Sequence, residues 1–328
     1  MTTSRQAEAA SRATTDPFPS RSTLVVPPSI GRWEPIAGTF GIMSTLSDAF
    51  HRIDLTRPGA FPDLRVEPDL AVVSDYSGDY AGAPFETLSF LITNVRALID
   101  WEPSRLAIRS AFLRDGRRVA FKSLRDKQRA KALPHLLRIG DQLPGVLLTV
   151  AISKAAGSIF KRGMEPVPEF AANWSKHVFE RVFRCAHFIS FLLGGLSRPG
   201  QNVLWVTDED AIAANERRLR DLTTVLALVG SSYLPHELNH LRCTTTGLAD
   251  DGTRAVEDFA ALPDLAAGGF AEYLRARTEG FVSPPTPKMT ELMHWFRPRR
   301  VPLYKAFATI EGAAGGTITI TSLRFNDQ

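Results

Sequence analysis

The sequence predicts an α/β domain in which a mixed sheet is covered by helices. Three observations carry that prediction. Leu70 to Val73, Gly145 to Ser153 and Asn202 to Thr207 are short apolar runs rich in branched residues and closed by turn residues, the pattern of buried strands. Segments with apolar residues at helical spacing separate them, so strands and helices alternate over residues 69 to 277. A chain of 328 residues that is 44% hydrophobic and 23% charged also has the material for one large core or two modest ones.

Taken in order, residues 1–30 read as a disordered, flexible tail, because Ser, Thr, Arg and Pro dominate and no apolar period appears before Val25. Residues 31–68, broken by Pro35, Pro58, Pro62 and Pro68, read as an irregular covering segment with one short helix over Thr45 to Arg52. The first strand ends in Asp75 with a turn at Gly78, and Glu86 to Asn94 returns as its hairpin partner. Asp100 to Leu113 is predicted helical and stops before Asp115-Gly116. Arg117 to Lys122 is a candidate third strand, and Leu124 to Ile139 a basic amphipathic helix despite Pro134.

Gly145 to Ser153 is the clearest core strand, followed by a long apolar helix over Phe170 to Leu193 that Gly194-Gly195 should end. The strand Asn202 to Thr207 runs into Asp208-Glu-Asp210, and a helix with one charged face covers Ala211 to Val229. Leu262 to Leu274 is predicted as a helix with Asp264 in its first turn and with Ala266, Ala267, Gly268 and Gly269 permitting close packing. These elements make one domain over 69–280. Residues 281–328 read as a linker, Ser283 to Lys288, and a small C-terminal hairpin appendage from Tyr304 to Ile310 and Thr317 to Phe325.

Composition excludes several classes. Two cysteines, Cys185 and Cys243, make neither a disulfide framework nor a multi-cysteine zinc site, and suit a reducing cytoplasm. Met1 to Thr15 has no signal-peptide core, and Phe188 to Leu193 is far shorter than the roughly 20 residues of a membrane span. A net charge of +4 permits a polyanionic partner without requiring one.

Three constellations bear on chemistry. The first is the set of acids Asp75, Asp208 or Asp210, and Asp264, placed at strand ends and a helix start. Carboxylates gathered there offer hard oxygen donors for Mg²⁺ or Mn²⁺, the chemistry of phosphodiester cleavage by activated water. Each acid also has a structural role open to it: a turn at Asp75, a helix N-cap at Asp208, a helix-dipole contact at Asp264. The second is His236-Glu237-Leu-Asn-His240, which matches the His-Glu-x-x-His zinc-hydrolase pattern, with Glu257 as a conceivable third ligand. Against it, Pro235 and the branched run Leu241 to Thr246 favour a strand from about Asn239, and a chance match in a chain with seven histidines is the competing explanation. The third is a basic run that includes Arg114, Arg117, Arg118, Lys122, Arg125, Lys127, Arg129 and Lys131, either a phosphate-binding surface or a solvated face. Tyr76 and Tyr80 stand near the first acid, where they would stack on a base or serve as packing residues.

The order Val-Val-Ser-Asp75-Tyr-Ser-Gly78, Phe121-Lys122-Ser-Leu, Val-Leu-Trp-Val-Thr-Asp208 and Pro-Asp264-Leu-Ala-Ala-Gly-Gly resembles a large, mostly uncharacterised bacterial family of ribonuclease H-like proteins. In that family the first strand ends in an Asp-x-Ser-Gly motif. The resemblance covers roughly residues 69 to 277 and implies a ribonuclease H-like mixed sheet flanked by helices. It implies a divalent-metal-dependent nuclease acting on DNA or RNA, with Asp75, Asp208 (or Asp210) and Asp264 as ligands of Mg²⁺ or Mn²⁺ and Lys122 as a phosphate contact. Arg117, Arg118, Arg125, Lys127 and Arg129 would then hold the nucleic acid. Tyr76, Ala120 and Pro263 depart from the family pattern, two of them where acids are usual, so a non-catalytic nucleic-acid or protein-binding relative is the first alternative and a zinc hydrolase at His236 and His240 the second.

Overall fold

A computed structural model of the chain describes residues 32–37, 41–157, 172–280, 286–312, 318–323 and 325. The expected tail, residues 1–30, lies outside the described residues. So do Phe170 and Ala171 at the start of the helix predicted over Phe170 to Leu193, part of the predicted linker, and Thr317 and Arg324 of the predicted hairpin; the helix itself begins only at Lys176, where Ser175 caps it.

Seven strands form one mixed sheet. They are β1 (Asp69–Ser77), β2 (Phe85–Asn94), β3 (Gly145–Ser153), β4 (Asn202–Thr207), β5 (His240–Thr245), β6 (Leu303–Gly312) and β7 (Ile318–Leu323), in the order β5-β4-β1-β2-β3-β6-β7. β1, β2 and β3 are successively antiparallel, β4 and β5 run parallel to β1, β6 runs parallel to β3, and β7 returns along β6. The β1–β2 turn needs a glycine. Gly78 has φ +86°, and a Cβ there would overlap the Phe85 carbonyl.

Side chains alternate across the sheet and feed two cores. On one face Val72, Leu88, Phe90, Leu148 and Trp205 pack under α1 (Ile42–Thr56), α4 (Lys176–Leu196) and α5 (Glu216–Gly230). On the other, Ala71, Val73, Leu91, Leu147 and Val206 pack under α2 (Val95–Phe112), α3 (Lys127–Gly140), α7 (Ala255–Thr278) and α8 (Pro287–Phe296); a single turn, α6 (Thr246–Ala249), follows β5. The strands are where the apolar runs placed them, and β1 and β2 pair as the expected hairpin.

Several expectations are corrected. Arg117 to Lys122 is not a strand: residues 117–120 lack a strand partner and Phe121–Ser123 forms a single 3-10 turn. Its amides are committed elsewhere, Ala120 N to Ser123 Oγ and Phe121 N to Asp264. α2 begins at Val95 because the Asn94 side chain accepts from Ala97 N at 2.7 Å, so Asp100 and Pro103 are interior. α4 continues through Gly194-Gly195, where Gly195 admits the Trp33 ring that a Cβ would overlap.

α7 starts at Ala255, so Asp264 sits in mid-helix and its expected placement at a helix N-terminus is wrong. The 31–68 segment is more than a cover: α1 is fifteen residues long, and Trp33, Phe50, Phe61 and Leu64 are core residues. The C-terminal hairpin is no appendage either. β6 lies in the sheet beside β3, and α8, which begins inside the predicted linker, buries Met289, Leu292, Trp295 and Phe296.

Candidate active site

The register of the two central parallel strands brings the first two acids together. Val73 of β1 stands opposite Val206 of β4. Asp75 stands two residues further along β1, and Asp208 follows directly on the last residue of β4, Thr207. The period of two keeps Asp75 on the face of Val73, the face α7 covers, and the Asp208 charge reaches it there. α7 packs along β1 and β2 and carries the third acid, Asp264. Asp75 and Asp264 are half-buried, whereas Asp208 is exposed at the rim.

Their charges act on one another. Burial pushes the Asp75 carboxyl well above the usual range, the Asp264 charge raises it further, and Asp208 and Asp210 add to that. Burial pushes Asp264 up to about 6, with Asp208 adding, while the Phe121 amide and the Lys122 ammonium pull it down. Exposed Lys122 therefore sits where its charge reaches the site. The sequence left Asp208 and Asp210 as alternatives. Asp208 acts on both Asp75 and Asp264, whereas Asp210 acts on Asp75 and also on Tyr76 across the sheet, and feels Arg181 there.

One oxygen of each of the three acids is held by the protein. Asp75 Oδ1 accepts from Tyr76 N at 2.5 Å, and Asp264 Oδ2 from Phe121 N at 2.5 Å. Asp208 Oδ1 accepts from Glu209 N at 2.9 Å and from Thr246 Oγ1 at 3.2 Å. Asp75 Oδ2, Asp208 Oδ2 and Asp264 Oδ1 have no partner among the described residues. No three His, Cys, Asp or Glu side chains among the described residues converge as a ready ion site. The donor chemistry nonetheless suits a hard divalent cation: three neighbouring carboxylates, each with a free oxygen, two held above their ordinary pKa by burial and by the charge of the other acids.

Tyr76 points to the opposite face. Its hydroxyl bonds Thr207 Oγ1 at 2.5 Å and its ring lies under Arg181, so it contributes nothing to the acid cluster. Arg181 and Arg184 in turn hold the buried Glu86 at 2.6 and 2.5 Å.

The zinc-hydrolase geometry is absent. The helix required by His236-Glu237-x-x-His240 does not form; His236 lies in a turn with its ring against Ser197 Oγ at 3.0 Å, and exposed His240 opens β5. Glu257 is on α7, paired with Arg254 at 2.7 Å and with Arg118. Of the basic run, Arg117 is held by Asp115 and Asp126, Arg118 by Glu257, and Arg129 by the Arg118 carbonyl. Lys122, Arg125, Lys127 and Lys131 are exposed and without an ion pair among the described residues.

Two functional supports were not singled out for the site: the Phe121 amide and Gly268. A Cβ at Gly268, one helical turn beyond Asp264, would overlap the Phe121 ring, so the glycine lets the Lys122 turn sit on α7. The spacing Asp264-x-x-x-Gly268 carries that signal in the sequence. No family model matches the chain, and no curated protein resembles it closely enough to count as a relative.

Proposed function

We propose that this protein is a divalent-metal-dependent nuclease with a ribonuclease H-like fold, hydrolysing phosphodiester bonds of DNA or RNA. The strand order supports the fold assignment: three consecutive antiparallel strands, with the fourth and fifth parallel to the first on its other side. The single observation that carries the activity is that the Asp208 charge acts on both Asp75 and Asp264, whose carboxyls are raised by burial and by neighbouring acids. Asp75, Asp208 and Asp264 would hold Mg²⁺ or Mn²⁺, which supplies Lewis acidity toward a phosphate oxygen and a water of lowered pKa.

The chain's own groups do the rest. Lys122 offers a cation to the phosphate that approaches the acids, and its neighbour Phe121 fixes the orientation of Asp264. Arg125, Lys127 and Lys131 continue that cationic surface and would hold the backbone beyond the cleaved bond. The free thiols Cys185 and Cys243 favour a reducing cytoplasm as its location.

Incubation with a panel of DNA and RNA substrates in Mg²⁺ or Mn²⁺ tests the activity. Cleavage that disappears with Asp75→Ala and with Asp264→Ala is the expected result; unchanged cleavage in those variants refutes the site. One observation favours a second reading, a non-catalytic binding module. Tyr76, at a position where the resembled family usually carries an acid, turns its hydroxyl away from the cluster. Binding without metal-dependent turnover would select that reading.

A further inference from the structure

Tyr80 is 59% exposed at the tip of the β1–β2 turn, five residues after Asp75 and at the same end of the sheet. Large aromatic rings are normally covered, and the turn that carries this one is tied on both sides. The Tyr80 carbonyl accepts from Ala83 N at 3.1 Å and from Lys154 Nζ at 2.6 Å. The preceding Asp79 is tied to Arg181 at 2.6 Å and to His177 at 3.0 Å. Lys154, at the end of β3, places its ammonium 6.0 Å from the ring centroid. The phenol hydroxyl has no partner among the described residues.

We propose that the substrate strand is single-stranded at this site, with an unpaired base stacked on Tyr80 and the adjoining phosphate on Lys154. This rests on the nuclease reading and names its substrate class. A ring carried on a tied turn offers its flat face to any exposed base, but in a duplex the base faces are already occupied by neighbouring bases. The cation supply agrees. With Arg117, Arg118 and Arg129 committed within the protein, exposed Lys154, Lys122 and Arg125 would serve as the phosphate contacts of this strand. Those suffice for a short stretch of one backbone. They predict a salt dependence of log K on log salt with slope about −2, at about 0.7 per phosphate of a single strand.

The test is a titration of the full chain, in Ca²⁺ to occupy oxygen ligands, with short 2-aminopurine-labelled single strands of DNA and of RNA and with the corresponding duplexes. Expected is tighter binding of a single strand than of its duplex, quenching of the labelled base, about tenfold weaker binding for Tyr80→Ala, and near wild-type binding and quenching for Tyr80→Phe. Tyr80 is exposed, and an unchanged melting temperature of the variants confirms that folding is not what changed. Binding of nucleic acid with duplex preferred, or with Tyr80→Ala unaffected, overturns the inference and leaves the nuclease reading standing. No binding of any strand overturns both.

Discussion

The backbone amide of Phe121 donates to Asp264 Oδ2 at 2.5 Å, joining a turn and a helix that lie 143 residues apart in sequence. That bond orients one acid of the cluster and commits the amide of a segment whose alternation resembles a strand. It also sets Lys122 beside the acids, since Lys122 is the next residue of the same turn.

Gly268→Ala should separate the turn from the helix. The added methyl overlaps the Phe121 ring, so the turn must lift, at a cost of about 1–3 kcal/mol for overpacking. Losing the Phe121 amide and the Lys122 charge removes the two influences that lower the Asp264 pKa. The expected outcome is a melting temperature lowered by a few degrees and, beyond that, a rise in the apparent pKa of the pH–rate profile. Loss of stability with an unshifted profile would show that the amide does not tune Asp264.

Metal and pH should act together on stability. Asp75 and Asp264 both titrate above the ordinary carboxylate value of 3.8, Asp264 at about 6. Between those values the folded chain binds more protons than the unfolded one, so this contribution to stability is present at low pH and is lost as pH rises through about 6. Above it the acids are ionised and mutually repelling. Added Mg²⁺ or Mn²⁺ should therefore raise the melting temperature more at about pH 8 than at about pH 5, where protons compete for the same oxygens. Equal shifts at the two pH values would remove these acids as the ligands.

Asp208→Asn and Asp210→Asn should differ. The Asp208 charge acts on both Asp75 and Asp264, and its loss is expected to lower metal-dependent turnover by at least about 100-fold, on the scale of removing one electrostatic stabiliser. Asp210 bonds Ile212 N at 2.9 Å and faces the Arg181 side, so Asp210→Asn should retain most activity. Single-turnover rates of both variants decide the assignment.

A stability test lies away from the acids. Arg105 and Arg109 of α2 both converge on Asp258 of α7, at 2.9 and 2.6 Å, with all three side chains buried. Asp258→Ala leaves two guanidinium charges without that partner in the interior and should cost about 3–5 kcal/mol, measured by urea unfolding. A loss below about 1 kcal/mol would show that Glu102 and local water compensate.

The legible parts of this molecule are those written in local pattern. β1, β2, β3 and β4 are largely buried and read as apolar runs, and the acids at the ends of β1 and β4 came with them. Helix starts were missed where a cap or a turn, not apolar periodicity, sets the boundary: Asn94 for α2, and for α7 the turn at Asp250 to Arg254, where Arg254 adopts φ 63°. Asp264 was singled out for its charge, but its surroundings depend on packing between distant segments. The neutralisation of Arg118 by Glu257 is equally invisible in sequence, because the partner is remote. No local signal marks residues 303–312 as the neighbour of β3.

That last pairing has a bearing on how the chain is made. β3 is buried along nearly its whole length, yet the strand that covers its outer edge begins only at Leu303. During synthesis every residue of β3 emerges long before its partner, leaving a bare apolar strand edge, the kind that pairs with other chains. The nascent protein must keep that edge occupied or out of reach until β6 arrives, and a chain shortened before Leu303 would be expected in inclusion bodies.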